Sequence, residues 1–412
     1  MKTIYKILFI TIMVALAFNI SAQEDNLNDY LKEAGKNNPA LQAAYHNYYA
    51  ALEKIPQVGA LPDPRLSFGY FISPVETRLG PQQFKVSISQ MFPWFGTLDE
   101  QEKAFAEKAK VQFQQFQSLK NKVYKDVRLK WYELYKVKES IRITKENLDV
   151  LNSLKQITQR NYETGKTQMT DLLRLDVNIR EQENKLEDLQ EKLSTVKTEF
   201  NLLLNKEEKA SINLPAEVKL DSFDLLAYRD SIQKNPELTA LEHKENSLKH
   251  QYEAAKKKGY PNISLALDYA VIGERTDMQV NNNGRDVIMP MVGVTIPLNR
   301  KKYDAMKKEK ELQLKAVQSS QQSKLNMLSS QYKKAEEQYV DAMRKVDLYK
   351  KQTNETESIY NLLKTNYSAD GQKFYELLRT RLMVLEYELK LEKAKANQNI
   401  AVAKLKYLTN QK

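Results

Sequence analysis

The stretch NYETGKTQMTDLLR, residues 161–174, returns 205 residues later as NYSADGQKFYELLR, residues 366–379. Each copy places one glycine, Gly165 or Gly371, between long runs that contain neither Gly nor Pro. Residues 97–164, 166–214, 298–370 and 372–412 are free of both. Glycine costs a helix interior about 1 kcal/mol and proline about 3 kcal/mol, so such runs predict long helices, and each glycine predicts the tip of a helical hairpin. The run from Thr97 to Glu163, at about 1.5 Å per residue, predicts a helix of roughly 100 Å. Its apolar residues, among them Val123, Val127, Leu134, Val137, Leu148 and Leu151, recur at gaps of three, four and seven, which suits a coiled-coil seam.

The repeat extends outward from the tips. NNPALQAAYH at 37–46 matches KNPELTALEH at 234–243, an offset of 197 that also sets Pro64 on Pro261. By Pro93 and Pro297 the offset has grown to 204, which predicts a longer loop in the second half. Two repeats follow, 23–214 and 215–412. The first is expected to hold strands at about 65–73 and 84–93 and a helical hairpin over 97–205 with its tip near 165. The second is expected to hold strands at about 262–272 and 286–297 and a hairpin over 299–410 with its tip near 371.

The chain has 11 glycines and 12 prolines among 412 residues, about half the usual share, which argues against an all-β chain. Ten of these breakers fall between Pro56 and Gly96 and seven between Gly259 and Pro297. There the period changes from 3.6 to 2. Leu66, Phe68, Tyr70 and Ile72 alternate with Arg65, Ser67, Gly69 and Phe71, and the same alternation recurs through Val86 and Ile88, Ile263 to Val271, and Ile288 to Ile296. Four strands of about 8–11 residues, apolar on one face and small or polar on the other, have the length of tilted membrane-spanning strands. Aromatic residues such as Phe92, Trp94, Phe95 and Tyr260 gather near their ends, as at a membrane interface. Alternation alone equally fits two hairpins capping a helical body. Four strands cannot close a barrel, and open edges cannot sit in lipid, so a membrane reading requires several chains in one barrel.

Residues 1–22 predict a signal peptide: Lys2 and Lys6, the apolar run ILFITIMVALAF, and a small-residue site ending at Ala22. No other stretch is long and apolar enough for a transmembrane helix. Cysteine is absent, which removes disulfides, thiolate metal sites and cysteine nucleophiles. The formal charge of +11 would suit nucleic acid, but the leader and the lack of any such motif argue against it. His46 and His243 occupy matching repeat positions and read as structural. No HExxH, GxSxG, P-loop or EF-hand pattern occurs. Met289–Pro290–Met291 could hold a soft cation, but such residues more simply line a strand. The expectation is no enzyme activity, no cofactor and no resident metal.

With its duplicated halves, two strands per half and the tip motif NYETGKTQMTDLL, the chain resembles the TolC-type outer-membrane efflux channels over residues 24–412. LPDPRLSFGYFISPVETRLGP at 61–81 and ISQMFPWFGTLDEQ at 88–101 resemble the branch associated with copper, silver and cobalt–zinc–cadmium efflux. The resemblance implies a mainly α fold with a small β part. Two helical hairpins per chain would build a coiled-coil α-barrel continuous with a trimeric 12-stranded transmembrane β-barrel, four strands per chain. It implies a homotrimer held in outer-membrane lipid with a long periplasmic extension, joined to a periplasmic adaptor protein and an inner-membrane transporter of the RND type. It further implies a passive exit duct for metal ions or small toxic solutes. A protein-secretion duct of the same fold and a periplasmic coiled-coil scaffold without a pore are the alternatives.

Residue by residue, the family's entrance-closing contact falls on Asp171 and Tyr367. Thr170 matches a second closing residue, whose arginine partner is replaced here by Gln372. Glu376 matches one acidic constriction position, and Arg379 stands where the second would be. Thr164, Gly165, Lys166, Ala369, Asp370 and Gly371 match the adaptor-contacting tips. The metal branch's common lipoprotein form is not followed, since no cysteine comes after the leader.

Overall fold

A computed structural model describes residues 26–215, 217–370 and 372–411. The expected signal peptide and Gly371 lie outside the described residues. In chain order the elements are α1 (Asn26–Asn37), α2 (Pro39–Gly59), β1 (Arg65–Thr77), β2 (Gly80–Phe92), α3 (Thr97–Glu163), α4 (Met169–Leu203), α5 (Leu225–Tyr228, extended by a 3₁₀ turn), α6 (Pro236–Lys257), β3 (Asn262–Ile272), β4 (Val287–Thr295), α7 (Arg300–Asp370) and α8 (Phe374–Leu408). Each breaker-free run holds one long helix, although in 166–214 the helix already ends at Leu203, with Asn205 in a left-handed conformation at φ +56°. The chain divides into two compact units.

Among the described residues the first unit comprises 26–43, Gln117–Asn235 and 325–411. Its interior is built from the heptad-spaced residues of α3, where Val127, Leu134, Tyr135, Leu151 and Leu154 are almost fully buried. Tyr30, Trp131 and Phe200 pack ring on ring at one end, with Tyr30 and Phe200 edge to face at 5.2 Å. Asn201 spans the turn after α4 by donating to the carbonyls of Glu208 and Ala210.

The second unit comprises Ala44–Phe116 and Pro236–Lys324. Its sheet is antiparallel in the order β1-β2-β3-β4, so the central pair β2–β3 joins one repeat to the other. Leu66 faces Ile88, Ile88 faces Leu267, and Leu267 faces Pro290. Cross-strand partners share a face, so the alternation becomes one continuous apolar surface. That surface is solvent-exposed in the single chain: Phe68 is 74% exposed, Ile72 92% and Val292 73%. The opposite face carries Ser67, Gly69, Lys85, Ser87, Ala266, Asp268 and Gly293. There Asp268, almost fully buried, accepts from the Lys85 ammonium and the Ser87 hydroxyl. In the same unit α6 packs on α3 through small residues. The Ser247 hydroxyl donates to the Ala104 carbonyl at 2.8 Å, and His243 and His250 pair with Glu107 and Glu100.

The strand limits differ from the expected ones. β1 runs through Pro74 to Thr77 rather than ending at 73, and β2 begins at Gly80 rather than 84. Proline is tolerated because β1 is an edge strand whose register slips between Tyr70 and Val75. The tight turn at 78–79 needs Gly80 at φ +127°, where a Cβ would meet the Gly273 carbonyl. β4 is shorter than expected, Val287–Thr295 against 286–297, ending two residues before Pro297. α2 also continues past Pro56, losing one backbone bond near its end. Among the described residues no helix is long and apolar enough to cross a membrane.

Candidate gate at the helix tips

The tips lie in the first unit. α3 closes in a left-handed turn: Gly165 has φ +73°, its N–H donates to the Tyr162 carbonyl, and the Lys166 N–H donates to the Asn161 carbonyl at 2.7 Å. The Thr164 hydroxyl donates back to the Arg160 carbonyl. Asp171 sits in the first turn of α4, where its carboxylate accepts from the Thr167 hydroxyl at 2.5 Å and the Gln168 N–H at 3.5 Å. Thr170 donates to the Gln168 amide oxygen at 3.3 Å. The second hairpin turns at Lys373, a non-glycine residue at φ +65°, whose carbonyl accepts from the Leu377 N–H.

Several bonds tie the hairpins to each other. The Tyr367 hydroxyl, on fully buried Tyr367, donates to the Thr158 hydroxyl at 3.1 Å, and Thr158 donates in turn to the Leu154 carbonyl at 2.9 Å. The Asn161 amide donates to the Tyr367 carbonyl at 3.4 Å. At the surface the Lys166 ammonium reaches the Ala369 carbonyl at 3.3 Å. This polar clasp is enclosed by Leu151, Leu154, Leu175, Tyr360, Phe374 and Leu377. In such surroundings a hydroxyl that loses its partner costs about 1–3 kcal/mol. Further along, the buried Arg381 guanidinium donates to the Asn147 side-chain oxygen at 2.9 Å and lies 5.6 Å from the Tyr360 ring centroid. Among the described residues no carboxylate pairs with it within 4 Å.

The structure does not bring the expected closing pair together within the chain. Asp171 and Tyr367 are not joined within the chain, because Asp171 is committed to its own helix start and Tyr367 to Thr158. Glu376 and Arg379 are both exposed on α8, so neither meets the clasp. Lys166 and Ala369 come together; Thr164, Gly165 and Thr170 serve the local turn. Thr158, Asn161, Asn147 and Arg381 escaped the sequence reading. The repeated Asn-Tyr at 161–162 and 366–367 was the available signal for Asn161 and Tyr367.

One titration follows from this packing. Burial pushes the Glu388 carboxyl up, Arg381 opposes that, and Glu357 and Glu146 add to it, with Arg142 again opposing. A carboxyl raised in the folded state contributes stability below its unfolded pKa, and that stability is lost as pH rises through the folded value. Glu388→Gln is expected to raise the thermal unfolding temperature at pH 8, with the difference vanishing below about pH 4. A pH series of circular-dichroism melts checks this, and a gap that persists unchanged at low pH would contradict it.

The Outer membrane efflux protein family model matches residues 30–205 and 227–411. A search of curated protein sequences gives no match. Among solved structures, the channel CusC superposes with a TM-score of 0.79 at 15% identity, covering 94% of this chain and 93% of its own. The outer-membrane channel OprN gives 0.77 at 15%, covering 94% and 90%. The outer membrane protein VceC of Vibrio cholerae gives 0.76 at 14%, covering 93% and 96%. At these identities the likeness establishes the fold. The family match takes in both repeats, the sheet and both hairpin tips, and the chain belongs to the outer membrane efflux proteins, which are channels rather than enzymes.

Proposed function

We propose that this outer-membrane efflux channel acts as a homotrimeric exit duct whose twelve strands, four per chain, close one barrel and whose helical hairpins form a periplasmic tunnel. The observation that carries the reading is the sheet face of Leu66, Phe68, Tyr70, Ile88, Val292 and Val294, apolar and exposed along its whole length. In water such a patch is a liability, whereas in a bilayer it is the lipid-facing surface of a barrel. Leu173 and Val177 on α4 and Ile359 and Leu362 on α7 are also more than half exposed, which supports helix neighbours from adjacent copies. The tips Thr164–Gly165–Lys166 and Ala369–Asp370–Gly371 would meet the periplasmic adaptor, and an RND-type transporter would drive the cargo.

The Thr158–Tyr367–Asn161 clasp is the closing element, in place of an Asp171–Tyr367 bond. It is a short polar link in an apolar packing, so it holds one arrangement and releases as a unit. Glu376 and Arg379 would line the entrance, offering one carboxylate and one guanidinium per copy rather than a double acidic ring. Metal ions or small toxic solutes are the proposed cargo, resting on the branch-like stretches at 61–81 and 88–101. Deleting the gene in its native host is expected to lower the inhibitory concentration of copper or cobalt several-fold, with restoration by the plasmid-borne gene. Unchanged metal tolerance with altered dye or detergent tolerance would assign the channel to organic solutes instead.

A further inference from the structure

Among the described residues, the sheet of one chain leaves β1 and β4 without an outer neighbour. The inference drawn here rests on the trimeric reading and adds the atomic register of its seams. We propose that β4 pairs with β1 of a second copy so that Val292 faces Tyr70 of the partner subunit, Val294 faces the partner's Phe68, and Ile296 faces the partner's Leu66.

The register comes from the repeat. Within the chain, the seam between repeats is β2–β3, where Ile88 faces Leu267, Gln90 faces Leu265 and Phe92 faces Ile263. The seam between copies must also join the second strand of one repeat to the first strand of the next. The offset of 204 carries β2 onto β4, as Pro93 falls on Pro297, and the offset of 197 carries β3 onto β1, as Pro261 falls on Pro64. Applied together, they give the three pairs above.

Two independent features agree with it. All six residues belong to the apolar face, and each is more than half exposed in the single chain, from 56% for Leu66 to 78% for Tyr70. A one-residue slip would turn that face inward. The second feature is barrel geometry. Leu66 faces Ile88, then Leu267, then Pro290, and Pro290 then faces the partner's Ile72. Each copy thus advances the stagger by six residues, and three copies by eighteen. With spacings of about 3.3 Å along and 4.8 Å between strands, twelve strands so staggered tilt by about 45°, within the usual range for closed barrels. A slip of two residues gives roughly 35° or 55° and keeps the apolar face, so the test has to separate those registers.

The mapping also shows how the seams differ chemically. At the internal seam the small-residue face is locked by Asp268 with Lys85 and Ser87. Their counterparts between copies are Phe71 of the partner subunit with Met289 and Met291. The internal seam is an ion pair, and the seam between copies is sulfur against an aromatic ring.

The chain has no cysteine, so disulfide cross-linking has no background. Paired strand residues lie about 4.5–5.5 Å apart at Cα, inside disulfide range, while partners two residues away exceed it. Val292→Cys with Tyr70→Cys, and separately Val294→Cys with Phe68→Cys, are expected to give covalent dimers and trimers on oxidation in outer-membrane preparations. The yield should be at least ten times that of Val292→Cys with Phe68→Cys or with Ile72→Cys. Preferential cross-linking of the slipped pairs, equal cross-linking of all pairs, or none, in a protein still trimeric by native mass, overturns the register and leaves the channel reading intact. A monomer without cross-links overturns both. Hydrogen exchange on the unsubstituted protein gives a second readout: free exchange of the β4 amides in the trimer would also refute the pairing.

Discussion

Tyr367→Phe combined with Thr158→Ala is expected to raise open probability strongly in planar bilayers. Tyr367 is fully buried and its hydroxyl has one acceptor, Thr158, which anchors to the Leu154 carbonyl. Removing the link costs the closed state about 1–2 kcal/mol per copy. If three copies open together, that becomes about 3–6 kcal/mol, a shift of roughly a hundred- to ten-thousand-fold in the open-to-closed ratio. Each single substitution should give nearly the effect of the double, because both break the same bond. Asp171→Ala serves as the contrast. Among the described residues its carboxylate accepts from Thr167 and Gln168, so its loss should fray the start of α4 and leave conductance close to that of the unsubstituted channel. Raised conductance from Asp171→Ala alone, with none from the Tyr367 and Thr158 changes, would return the gate to the pair expected from sequence.

Val292→Arg is expected to abolish assembly in the outer membrane. Val292 stands 73% exposed in the middle of the apolar face, opposite Leu265. An arginine at the lipid midplane costs about 2–4 kcal/mol, and a trimer would carry three. Ser89→Glu on the other face of the same sheet, beside Arg65, should be tolerated, because a closed barrel would turn that face toward a water-filled lumen. Outer-membrane fractionation with unheated gels reads both outcomes. Equal tolerance of the two substitutions would mean that the sheet merely caps a helical body and meets no lipid.

Much of this fold was legible because its signals are local. A backbone without glycine or proline from Thr97 to Thr164 has no reason to leave the helix, and Gly165 supplies the positive φ that ends it. Period-2 alternation from Leu66 to Ile72 likewise states which side chains share a face. The limits of β1 were less legible. Pro74 reads as a stop, and only a place at the sheet edge, beside a slipped register, lets the strand continue to Thr77.

The clasp at the tips was legible only in part. The doubled Asn-Tyr marked the neighbourhood, yet the two tyrosines have different fates: Tyr162 is 44% exposed, and Tyr367 is fully buried. What separates them is the residue across the packing, and that depends on how α3 and α7 lie against each other over some 200 residues of intervening chain. By itself the sequence determined helices, strands, repeat and family, since each follows from spacing along the backbone. Only the tertiary structure decided that Tyr367 meets Thr158 rather than Asp171, and that Arg381 is buried on Asn147. Hydrogen-bond partners so distant in sequence are selected by packing, which periodicity does not encode.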